Sequence, residues 1–156
     1  MKFSFIDWWQ TGANLLSVSI AYLLALPVAW DREQNARSAG LRTFPLVAVA
    51  SCGYILLAMS VFAGERESIA RIVQGLMTGI GFIGGGAILK HGMSVRGTAT
   101  AASVWNTGAI GAAVAFRRYE IAVILSLINF LTFRFLTEFK DDNAEKKNQE
   151  KEESRR

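Results

Sequence analysis

No carboxylate lies deep inside any of the long apolar stretches of this 156-residue chain. A dedicated Mg²⁺ or Ca²⁺ site is normally built from carboxylates, and proton-coupled carriers use buried acids, so neither is expected. Histidine is nearly missing too. The single one, His91, sits in a short connection with no second His or Cys beside it, which argues against a metal centre. One cysteine, Cys52, excludes an intrachain disulfide and reads as a small hydrophobe within an apolar helix. All acids lie at the edges of the apolar runs, so no Ser/His/acid set can be assembled inside them. Neither an enzyme, a cofactor nor a nucleic-acid partner is expected.

Charge is absent from residues 12–30, 43–64, 72–89 and 97–116, and residues 121–139 carry only Arg134 and Glu138, near their end. Each run is about as long as a helix must be to cross roughly 30 Å of hydrocarbon. The expected fold is therefore all-α: a polytopic membrane protein of about five transmembrane helices, at 12–30, 43–63, 72–89, 98–116 and 121–139. Trp8, Trp9 and Trp30 bracket the first run. Twenty-one steps separate Trp9 from Trp30, about 31 Å of helix, which matches the two interfacial aromatic belts. Lys2 balances Asp7 at the N-terminus, so the basic region of a cleaved leader is missing and the first run reads as a retained span. Pro27 should kink or loosen its last turn, a defect that neighbouring helices can cover.

Five spans put the termini on opposite sides. One side holds Lys2, Arg66, Arg71, Arg117 and Arg118; the other holds Arg32, Arg37, Arg42, Lys90, Arg96 and six more basic residues in the tail. The positive-inside rule places the second group, and the C-terminus, in the cytoplasm, with the N-terminus periplasmic. The tail, 140–156, balances six basic against six acidic residues and is expected to be frayed helix passing into disorder.

Six of the fourteen glycines fall between Gly75 and Gly86. Gly79, Gly81 and Gly84 match a dinucleotide fingerprint, but no βαβ unit surrounds them and no acid follows at the expected distance, so nucleotide binding is rejected. Gly75/Gly79 and Gly81/Gly85 are G-x-x-x-G pairs, suited to close helix packing within the chain or across a homo-oligomer. Gly84, Gly85 and Gly86 in succession make a poor helix, so the alternative is a break whose freed carbonyls line a polar cavity. The fourth run is mostly Ala, Gly, Ser and Thr, which suits contact with the third. Asn106 and Thr107 lie near its midpoint, where an unpaired amide is costly; Asn106 needs either an interhelical hydrogen bond or a polar pathway. Gln74 and Asn129 raise the same question. Arg134 is expected to snorkel, with Glu138 as a partner.

Asp31-Arg32-Glu33, then 39–43 (AGLRT), then 79–86 (GIGFIGGG), then 95–102 (VRGTATAA) with Trp105 together resemble the bacterial MgtC/SapB family. The similarity covers about residues 12–136. It implies an inner-membrane protein of about five spans with a cytoplasmic C-terminus, a role in adaptation to low magnesium and, in pathogens, survival inside phagocytes. Many family members carry a soluble C-terminal domain, where this sequence has a short charged tail. Pro27 also departs from the family pattern.

Two functions remain open. In the first the protein is a non-enzymatic regulator, whose partners are the lipid bilayer and other membrane proteins. Its loops would present Arg32, Arg42, Lys90 and Arg96, with Asp31 and Glu33 pairing to Arg42 or Arg96. The alternative is a small ion or solute transporter using a broken Gly-rich helix, Gly79 to Gly86, together with Asn106 and Thr107.

Overall fold

The computed structural model describes residues 7–35, 39–91 and 94–135. The chain forms helices α1 (Trp8–Asn35), α2 (Thr43–Val61) and α3 (Arg66–Gly86), strands β1 (Leu89–His91) and β2 (Ser94–Arg96), then α4 (Thr98–Ala115) and α5 (residues 119–135). It is an all-α membrane protein. Trp8–Gln34 and Thr43–Val61 are long and apolar enough to cross a membrane. Phe82 is 85% exposed and Leu46 65%, a degree of apolar exposure that suits lipid rather than water. The expected tail (140–156), Glu138, Arg37 and Lys2 lie outside the described residues.

Local chemistry explains where the helices begin and end. Asp7 caps α1: its Oδ1 accepts from the Trp9 and Gln10 backbone N–H groups at 3.0 and 3.3 Å. The helix continues past residue 30 to Asn35, because Asp31, Arg32, Glu33 and Gln34 leave the apolar run without leaving helical conformation. Pro27 does not end it. Proline lacks the N–H that would reach the Leu23 carbonyl. The adjoining Leu24 carbonyl accepts a 2.6 Å bond from Ser126 Oγ on α5, so a neighbouring helix supports this stretch.

The third helix starts at Arg66, six residues before the expected 72. Its charged first turns are good helix formers, and Glu67 complements the positive end of the helix dipole. It also stops three residues early, and β1 and β2 form an antiparallel hairpin with Leu89 opposite Arg96 and Lys90 opposite Val95. The break at Gly84–Gly86, the alternative to close packing, is not there. The helix runs unbroken through Gly86 and closes with Ala87 N–H to the Gly84 carbonyl (3.0 Å) and Ile88 N–H to the Gly85 carbonyl (3.1 Å). The glycines terminate the helix rather than open it. Gly97 then turns the chain into α4 at φ +88°, and a Cβ there would also collide with the Ala87 carbonyl.

Helix α4 is the centre of the bundle. It packs against α1, α2 and α3, and ten of its eighteen residues are buried. Small residues permit this. A Cβ on Gly111 would collide with the Ala48 carbonyl of α2, and one on Gly108 with the Ile80 side chain of α3. Gly84 of α3 leaves only 3.0 Å between such a Cβ and the Ala101 carbonyl. At its end, Arg118 N–H reaches the Ala113 carbonyl (2.8 Å) and Arg117 N–H the Val114 carbonyl (2.9 Å). This is a Schellman cap with Arg117, at φ +59°, where glycine is usual. An L-residue in that conformation costs about 1 kcal/mol.

Candidate functional site: a polar cluster where the sequence motifs meet

From the last turns of α1, Arg32 reaches the start of α4 and Glu33 the connection to α2. Arg32 is half-buried; its Nη2 donates to Thr100 Oγ1 of α4 at 3.0 Å, and its guanidinium lies 4.4 Å from the centre of the Phe133 ring on α5. One residue thus joins three helices by a charge-assisted hydrogen bond and a cation–π contact. Arg32 Nε is buried without a hydrogen-bond partner among the described residues. Asp31 is 8% exposed, unusual for a carboxylate.

Glu33 fixes the α1–α2 connection. Its Oε2 accepts from Leu41 N–H at 3.0 Å and lies so close to Gly40 that a Cβ there would collide with it. Among the described contacts, the backbone therefore holds Glu33, not Arg42 or Arg96 as expected. Those two side chains and Lys90 are exposed at this same end of the bundle. Arg32 also meets the VRGTATAA segment at Thr100, while Gly84 of the glycine-rich segment meets it at Ala101. All four motif segments therefore converge in space.

A second polar layer lies deeper. Ser103 Oγ donates to Asn129 Oδ1 at 2.7 Å, Asn129 Nδ2 donates to Thr107 Oγ1 at 3.3 Å, and Thr107 Oγ1 donates to the Ser103 carbonyl at 2.8 Å. Asn106, half-buried one position before Thr107, donates to the Leu125 carbonyl of α5 at 3.1 Å. The expected interhelical partner of Asn106 exists, and Ser103, Thr107 and Asn129 satisfy one another. Ser103 was not distinguishable in the sequence from other serines of apolar runs; Asn129 was, by being an amide in such a run.

Among the described residues, nothing packs against Gly75, Gly79, Gly81, Gly85 or Gly86: a Cβ at any of them would meet no described neighbour within 4 Å. Close packing falls instead to Gly84, Gly108 and Gly111, which spacing alone did not single out. Gly75 and Gly79 border an apolar cleft of about 720 Å³ between α2 and α3, with Tyr54, Leu57 and Ile83 on its walls. Gln74 is exposed on α3. Among the described residues no three His, Cys, Asp or Glu side chains gather as metal ligands.

The MgtC family matches residues 18–141. The protein MgtC of Salmonella typhimurium is 35% identical over 114 residues, 73% of this chain and 48% of that protein. An uncharacterized protein of Synechocystis sp. is 35% identical over 119 residues, 76% of this chain and 50% of its own length. The protein SrpB of Synechococcus elongatus is 32% identical over 139 residues, covering 81% of this chain and 74% of SrpB. The chain thus spans about half the length of the first two. No solved structure matches it.

Proposed function

Because the chain belongs to the MgtC family, we propose that it is a non-enzymatic regulator in the bacterial inner membrane, acting in adaptation to low magnesium and, in a pathogen, in survival inside host phagocytes. The observation that carries this reading is the meeting of the motif segments around Arg32, where Glu33, Gly40, Thr100 and Phe133 hold one end of the bundle in a fixed arrangement. Exposed Arg42, Lys90 and Arg96 surround that end. We place it at the cytoplasmic face, with a cytoplasmic C-terminus and a periplasmic N-terminus, from the distribution of basic residues. There the basic side chains meet lipid headgroups and other membrane proteins. The unbroken α3 and the engaged Asn106 amide support a packed regulator over a transporter.

Growth in low magnesium tests this reading directly. Arg42→Ala and Arg96→Ala should impair complementation of a strain lacking this protein while leaving membrane insertion intact. Wild-type growth of both variants removes the case for that surface. Purified protein in liposomes should pass no cations; robust flux abolished by Asn106→Leu would establish transport instead.

A further inference from the structure

At the opposite end of the bundle from Arg32, a pocket of about 290 Å³ opens between the first turns of α1 and the last turns of α2 and α4. Its polar lining includes Gln10, Asn14, Ser60 and Arg117; Leu56 and Met59 supply apolar wall. Gln10 Nε2 donates to Asn14 Oδ1 at 3.0 Å, which leaves the Asn14 amide NH₂ as a donor. Arg118 pairs with Glu120 at 3.6 Å, whereas the Arg117 guanidinium has no partner among the described residues.

The backbone makes Arg117 informative. Its left-handed conformation favours glycine, yet the chain places an arginine there, beside a pocket. Attraction to the C-terminal helix dipole does not require this position, because Arg118 already supplies a charge at the same helix end.

We propose that this pocket binds a phosphate group, with Arg117 as the cationic fork and Asn14 as a second donor. A guanidinium matches a phosphate oxyanion with two parallel hydrogen bonds. The volume exceeds a bare ion, and the Leu56–Met59 wall suits the carbon skeleton of a phosphate ester. The site lies at the ends of α1 and α2, both long and apolar enough to cross a membrane, so the phosphate comes either from a lipid headgroup or from a soluble ester. This inference goes beyond the regulatory reading and does not depend on it.

The full chain in a phosphate-free, non-ionic detergent provides the test, with thermal unfolding followed by circular dichroism. One arm titrates glycerol 3-phosphate; the other adds phosphatidylglycerol to the micelles. The parent chain should show a saturable rise in midpoint in at least one arm, because a ligand bound only by the folded state stabilises it. A response in the first arm alone identifies a soluble ester, and one in the second alone a headgroup. Arg117→Gly relieves the backbone, so without ligand it should unfold at the same or a higher temperature. It should bind at least about tenfold more weakly. Arg117→Lys keeps the charge without the fork and should fall between. Asn14→Leu should weaken binding independently of the cap. No midpoint rise in either arm, or an unchanged response in both Arg117→Gly and Asn14→Leu, overturns the proposal.

Discussion

Arg32 starts on α1, donates to Thr100 on α4 and lies over Phe133 on α5, so its loss should be felt across three helices. Arg32→Ala is expected to lower unfolding free energy by about 2 kcal/mol, the scale of a hydrogen bond to a charged group, measured in a mild-detergent denaturation series. Arg32→Lys should recover little of it, since an ammonium lacks the planar face that meets Phe133. Glycines divide just as sharply. Gly111→Ala forces a methyl into the Ala48 carbonyl and should cost about 2 kcal/mol, whereas Gly75→Ala enters open space and should be neutral or stabilising. The sequence revealed how many glycines there were and their spacing. It could not reveal which ones touch a neighbour, because contact depends on how each helix is rotated. Asn106 was legible for the opposite reason: an amide in an apolar run must find a partner wherever the helix turns.

Helix boundaries were readable where charge and helix end coincide. Residue 43 opens α2 as expected, and α4 begins at Thr98. They were not readable where a helix continues into charged residues, as at Arg66–Arg71 and Asp31–Gln34, because hydropathy measures burial in lipid whereas helicity follows propensity and capping. The three-residue strands of the hairpin were too short to leave an alternating pattern. Because α3 terminates at its glycines, Gly85→Ala should preserve low-magnesium growth and leave thermal stability equal or higher; loss of growth with intact folding would restore the idea of an opening helix. On α5, Asn129→Leu strips partners from Ser103 and Thr107 and should cost about 1–3 kcal/mol, read in the same denaturation series.

The orientation of the whole molecule rests on a modest excess of basic residues on one side. A fluorescent-protein fusion after Arg156 should therefore glow, while a periplasm-dependent phosphatase inserted at Gly64 should be active; reversed outcomes would invert the topology. The enclosure of α4 has a further consequence, for the making of the protein. This helix is wrapped by α1, α2 and α3, carries Asn106, Thr107 and Ser103, and is less apolar than Trp8–Gln34 and Thr43–Val61, the helices among the described residues that are long and apolar enough to cross a membrane. A span of this composition gains little from lipid by itself, so it must enter the bilayer in company with the helices that enclose it. Assembly is thus expected to be concerted rather than a succession of independent insertions, with α4 entering the bilayer together with the helices that enclose it.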